Sequence, residues 1–157
     1  MALDPAPRQG FVGGDGTALP FRCGVFRTVI ALDVLEHVLD DRLLRSELSR
    51  VCDPGGIAWI SVPSADLQLF PASLTAPAHR AWGHLRPGYT RREVEGFGAS
   101  RVMPWNEPAY RALYSVLRVL AWLAPPVARR LIRLAFAFDS RHTEGDRGHY
   151  FCCIRVG

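Results

Sequence analysis

Acidic side chains stand at the points where apolar runs give way to turns, and one of them is followed closely by a second acid and a histidine. Asp4 precedes Pro5, Asp15 sits between Gly14 and Gly16, and Asp33 closes the run Arg27-Thr-Val-Ile-Ala-Leu32, with Glu36 and His37 just beyond. A carboxylate accepts two hydrogen bonds at once, so acids at successive strand ends suit a ligand that carries hydroxyl and amino donors. Asp4 and Asp15 are also ordinary turn residues before Pro or Gly. An imidazole, with an ordinary pKa of about 6.5, can take a proton from a hydroxyl or amine near neutral pH. His37 is the first candidate for that task and His84 the second, and a purely structural role for His37 competes with it. Asp33, Glu36 and His37 occupy positions i, i+3 and i+4, which share one helix face, so two carboxylates and an imidazole could converge on a divalent cation. Aspartate at the first position shortens the reach, and no metal is assigned.

The elements that must hold these residues are legible in the pattern. Residues 27–33 form an apolar, β-branched run of the kind buried on both faces of a sheet. Asp40 can cap the helix that follows, in which Leu43, Leu44, Leu48 and Val51 draw one apolar stripe while Arg42, Arg45, Glu47 and Arg50 face water. Asp53-Pro54-Gly55-Gly56 stops that helix, and residues 57–63 read as a second buried strand. Strand, capped helix, stop and strand make a βαβ unit and place the fold in the α/β class. Upstream, Phe11 to Gly13 reads as a short strand. Residues 65–88 show no sustained period. Thr90 to Glu93 is a capping box opening a short helix that Gly96 or Gly98 ends. Residues 99–105 and 149–156 read as strands, and 110–123 and 127–138 as two helices broken at Pro125-Pro126.

Composition bounds the alternatives. The 157 residues, 48% hydrophobic and 22% charged, are those of one globular domain and exclude a disordered or collagen-like chain. All 19 cationic side chains are arginine, scattered without a run of five, so the formal +4 reflects codon bias and implies no nucleic-acid partner. Cys23, Cys52, Cys152 and Cys153 lack C-x-x-C spacing, and the N-terminus lacks a basic segment followed by an apolar one, which together fit a reduced, cytoplasmic protein. The greasy stretch from Tyr110 to Phe138 is interrupted by Arg118, Pro125, Pro126, Arg129, Arg130 and Arg133. One spanning helix, which needs about 20 mostly apolar residues, is excluded.

The strings D-P-A-P (4–7), G-G-D-G-T-A-L-P-F (13–21), R-T-V-I-A-L-D-V-L-E-H-V (27–38) and L-x-x-E-L-x-R-V-x-x-P-G-G (44–56) stand in an order and spacing that resembles the class I S-adenosylmethionine-dependent methyltransferases, most closely the type 11 and small-molecule group. The resemblance implies a Rossmann-like sheet with flanking helices, incomplete here, and a helical insertion or lid over residues 108–140 before the last strand of a single domain. It implies that Asp4 takes the cofactor's ribose hydroxyls, that Asp15 and Gly16 meet its adenine, and that Leu32 and Asp33 lie beside its methionine part. Methyl transfer to a small-molecule or lipid-like acceptor is then expected, with His37 as base. The helices over 110–138 would cover a greasy acceptor, touch a membrane surface through their arginines, or pack against the sheet of the same chain, the last being favoured. The family's first strand and glycine loop belong before Leu3. Their segment would come from upstream or from a partner chain; otherwise the chain would be a noncatalytic interaction module. Without that strand, Thr28 to Leu32 is expected to present an unpaired edge.

Overall fold

The computed structural model describes residues 2–3, 11–67, 72–106, 108–139 and 148–157. Strands β1 (Ala2–Leu3) and β2 (Phe11–Val12) pair in parallel as a small sheet of their own. The main sheet is built from β3 (Phe26–Leu32), β4 (Cys52–Pro63), β5 (Arg101–Asn106) and β6 (Gly148–Arg155) in the order β3-β4-β6-β5. β3 and β4 are parallel, and α1 (Asp41–Val51) connects them. β6 runs antiparallel between β4 and β5. Among the described residues β3 is an edge strand, as the sequence predicts.

Side chains alternate across a pleated strand, and the sheet buries one phase of that alternation. Ala31, Ile60, Val62, Tyr150 and Cys152 lie on the covered face, where α1 lays Leu44 and Leu48 and the short helix α3 (Arg91–Glu95) lays Val94. The other phase of β3 is open: Ile30 is 63% and Leu32 56% exposed.

Asp40 caps α1 as expected, its carboxylate accepting the Leu43 N–H at 2.9 Å. The stripe is narrower than predicted, since Leu43 points outward while Leu44, Leu48 and Val51 are buried. The Pro-Gly-Gly stop also resolves differently. α1 ends at Val51 and the chain enters β4 at once, so residues 53–56 form the irregular start of a strand. Gly56 is required there, because a Cβ would sit 2.8 Å from the Asp53 carbonyl oxygen and 2.9 Å from that of Arg27. The capping box is intact, with Thr90 and Glu93 bonding each other's backbone and Gly96 ending α3.

Residues 72–81 form a helix, α2 (Ala72–Ala81), where the sequence shows no period; Pro77 lies inside it. Helices α4 (Pro108–Leu123) and α5 (Pro125–Asp139) form an antiparallel hairpin. Pro125 and Pro126 start α5 rather than separating the two helices, which fits proline's missing N–H and fixed φ at a first helical turn. The favoured expectation that these helices pack on the sheet is corrected: their main partner is each other. Tyr110 stacks on Phe136 with centroids 5.0 Å apart, and a Trp82–Tyr114 edge contact ties the hairpin to the end of α2. With the apolar faces partly spent on that pairing, Val116, Val119, Trp122, Leu123 and Leu134 remain exposed.

Candidate active site

The site lies at the carboxyl ends of β3 and β4, where open α/β sheets place their ligands. β3 ends in Asp33, whose backbone is left-handed at φ 53, a conformation that aspartate tolerates better than most residues. It is held there by Ser61 on β4: the Asp33 N–H donates to the Ser61 carbonyl and Oγ, both at 3.1 Å, and the Ser61 hydroxyl donates to Asp33 Oδ1 at 2.7 Å. The carboxylate stays half-exposed.

A single 3-10 turn, Leu35–His37, follows. Its geometry buries Glu36 completely and leaves His37 at the surface. The Glu36 carbonyl accepts the Leu85 N–H at 2.8 Å, which docks the segment after α2 against this turn. Glu36 Oε2 is buried with no hydrogen-bond partner. Burial, reinforced by the Asp33 charge, pushes the Glu36 carboxyl above its ordinary range, while nearby His37 and His149 oppose the shift.

The docked segment brings two further imidazoles. His37 Nδ1 lies 3.1 Å from the Gly83 carbonyl, and its ring meets His84 edge-on with centroids 4.6 Å apart. His84 Nδ1 lies 2.9 Å from His79 Nδ1. Burial lowers the pKa of both His79 and His84, and the neighbouring imidazoles lower His84 further. His149, at the start of β6 and opposite Pro63, closes the group with Nε2 3.8 Å from Asp33 Oδ1. These residues, with Trp82 and Leu67, line a cleft of about 140 Å³. One ligand atom each from Glu36, His37 and His84 lies within 4.8 Å of the others.

The structure thus brings Asp33 and His37 together. Leu32 is adjacent on the open face of β3 but does not line the cleft. Asp15 and Gly16 occupy a separate loop. The Asp15 carboxylate accepts both the N–H and the hydroxyl of Thr17 at 2.8 Å, and these bonds lower its pKa. Gly16 packs so closely on α1 that a Cβ would stand 3.0 Å from Leu44 Cδ1. Asp4 lies outside the described residues. His149 is the residue that sequence reasoning missed. An antiparallel β6 puts its first residues beside the last residues of β4, so the histidine in Gly148-His149-Tyr150 was the available signal.

The cleft is smaller than the roughly 300–1,000 Å³ of a typical small-molecule site. It has room for the reacting end of an acceptor or for a hydrated ion. Beside it, Leu32 and the Asp33 carboxylate are accessible on the open face of β3, and an acid at that place suits an amino or hydroxyl donor.

Residues 2–60 match the family described as "Methyltransferase domain". Over 63 residues the chain is 40% identical to proteins described as "Uncharacterized methyltransferase" in Mycobacterium sp. strains JLS and KMS. The aligned stretch covers 39% of this chain and 25% of each relative, so the chain spans about a quarter of the length of those proteins. Among solved structures, geranyl diphosphate C-methyltransferase from Streptomyces coelicolor A3(2), in complex with Mg2+, geranyl diphosphate and S-adenosyl-L-homocysteine, is similar with a TM-score of 0.61 at 15% identity, over 94% of this chain and 53% of that one. Phosphoethanolamine N-methyltransferase 2 from Haemonchus contortus, in complex with S-adenosyl-L-methionine, is similar with a TM-score of 0.60 at 14% identity, over 94% of this chain and 37% of that one. These structural likenesses establish the fold.

Proposed function

We propose that this chain, whose residues 2–60 match the methyltransferase domain family and whose main sheet has the methyltransferase fold, takes part in methyl transfer from S-adenosylmethionine to a small-molecule or lipid-like acceptor. The observation that carries the reading is the placement of Asp33 and His37 on one cleft at the carboxyl ends of two parallel strands.

S-adenosylmethionine supplies an activated methyl group on a sulfonium whose departure leaves a neutral thioether. The protein's task is then alignment of the acceptor, which is the main source of rate when the leaving group is already good. Asp33, fixed by Ser61, and Leu32 would hold the methionine end of the cofactor. Asp15 and Gly16, with Asp4, serve its nucleoside end. His37 stands on the cleft with Nδ1 facing the Gly83 carbonyl; a carbonyl only accepts, so the proton sits on Nδ1 and Nε2 keeps a lone pair. That lone pair can accept the proton of an acceptor hydroxyl or amine.

The α4–α5 hairpin fits an apolar acceptor or a lipid surface. Apart from Ser115, its exposed residues between Pro108 and Phe138 are apolar or arginine, with no acid among them. No helix among the described residues is long and apolar enough to cross a membrane.

Calorimetric titration of the chain with S-adenosylmethionine tests the reading. Micromolar binding that Asp33→Ala or Asp15→Ala weakens by roughly 1–3 kcal/mol, about 5- to 150-fold, is the expected result. No heat at millimolar cofactor would make the chain a noncatalytic methyltransferase-like module.

A further inference from the structure

Glu36 presents a chemical problem that methyl transfer leaves open. Its side chain is 1% exposed, yet Oε2 has no hydrogen-bond partner. Burying an unpaired carboxylate oxygen is costly, and native structures almost always satisfy such a group with a donor, a water or an ion. The groups that share its space are imidazoles, and their bonding leaves them ready to act as ligands. His37 Nδ1 bonds the Gly83 carbonyl, which places the proton on Nδ1 and the lone pair on Nε2. His84 Nδ1 bonds His79 Nδ1; when His84 donates in that pair, its Nε2 is free as well. A histidine ligand whose second nitrogen is bonded to a protein group is the usual arrangement in metal sites, since that bond fixes the tautomer and the ring orientation.

We propose that Glu36, His37 and His84 bind a single divalent transition-metal ion of the class that favours mixed nitrogen and oxygen ligands, such as Zn2+ or Co2+. A carboxylate oxygen of Glu36 and one ring nitrogen each of His37 and His84 lie within 4.8 Å of one another. Ligands of one tetrahedral ion at bonds of about 2.0–2.2 Å stand about 3.5 Å apart, so closure asks a shift of about 1 Å. Three protein ligands leave the fourth position open toward the cleft, the pattern of reactive rather than structural metal sites. His79 orients His84 without touching the ion. Chain spacing alone offers Asp33 beside Glu36 and His37; the fold supplies His84 in place of that aspartate, from a segment far along the chain. With the ion bound, His37 Nε2 is a ligand, and the ion's charge takes over the task of making an acceptor oxygen easier to deprotonate.

Titration of the chelator-treated full chain with Co2+, followed by visible absorption and calorimetry, decides the matter without cofactor or acceptor. One equivalent of Co2+ should bind, with ligand-field bands of a low-coordinate site that Zn2+ displaces. Glu36→Gln and His84→Ala should each weaken binding at least tenfold, and His79→Ala by about tenfold, as expected when a group that orients a ligand is lost. Asp53→Asn, at the opposite end of β4, should leave it unchanged. Absence of stoichiometric binding would overturn the proposal. So would Glu36→Gln and His84→Ala proteins that bind as the parent does, or near-ultraviolet thiolate bands marking a cysteine site. If Glu36→Gln fails to fold, the partly exposed His84→Ala decides alone. The assay contains no S-adenosylmethionine, so its failure and the failure of cofactor binding are separate results.

Discussion

Ser61 and Asp33 exchange hydrogen bonds across the carboxyl ends of β4 and β3, the Ser61 hydroxyl donating to Asp33 Oδ1 and accepting from the Asp33 N–H. One hydroxyl thereby holds both the left-handed backbone at φ 53 and the direction of the carboxylate. Ser61→Ala removes both bonds at a buried position, and a loss of about 1–3 kcal/mol is expected from urea unfolding. Asp33→Asn keeps a residue tolerant of the left-handed region and is expected to cost less. Equal stability of Ser61→Ala and the parent would show that the turn is held by other contacts.

The acid side of the stability profile belongs largely to Glu47. Arg50 hydrogen-bonds both of its oxygens, at 2.6 and 2.7 Å, and the Leu19 N–H adds a third bond at 2.8 Å. The Arg50 contact above all holds the Glu47 carboxyl down at about 2 against an ordinary 4.5. A carboxyl depressed in the folded state adds stability above its unfolded pKa, and that stability disappears as pH falls from about 4.5 to about 2. Glu93, held to about 2 by Thr90 and then Arg86, titrates over the same window. Glu47→Gln should flatten part of the acid limb in a series of pH-dependent melts and leave the slope above pH 6 untouched. An unchanged acid limb would remove Glu47 from the account.

Much of this fold is written locally. Asp40 and Thr90 announce their helices because a cap needs only residues three positions apart. β3 and β4 announce themselves because both carry unbroken apolar runs. α2 is silent: Ala72 to Ala81 carries no apolar stripe and includes Pro77, so its helicity owes nothing to a pattern that sequence can display. The site divides in the same way. Asp33, Glu36 and His37 are visible as a cluster because they are neighbours in the chain. Their partners His84 and His149 arrive through the docking of Leu85 on Glu36 and the antiparallel register of β6, which no spacing encodes.

Asp139, at the last residue of α5, is fully buried and closes the hairpin. Its Oδ1 accepts the Ala109 N–H at 2.9 Å and its Oδ2 the Tyr110 N–H at 3.0 Å, satisfying two of the free donors at the start of α4. A carboxylate there also complements the positive end of the helix. Asp139→Ala removes both bonds at a fully buried position, and a loss of about 2 kcal/mol is expected, together with faster amide exchange in the first turn of α4. If exchange at Ala109 and Tyr110 does not change, the start of α4 is held by contacts other than the Asp139 carboxylate.

The far end of the same hairpin carries the last prediction. Trp122 is 84% exposed, with Leu123 and Val127 open beside it, and Arg118, Arg129 and Arg130 nearby are exposed as well. An indole at an apolar tip ringed by guanidinium groups matches the chemistry of an anionic lipid interface, where apolar burial and charge attraction add. Co-sedimentation should therefore retain the chain on vesicles containing phosphatidylserine and release it as salt rises. Vesicles of phosphatidylcholine alone should retain less. Trp122→Ala should weaken binding to both, because it removes the insertion, whereas Arg129→Gln with Arg130→Gln should abolish only the preference for anionic lipid. Equal binding to the two vesicle types would remove the arginines from the contact, and binding to neither would rule out a lipid surface for the tip.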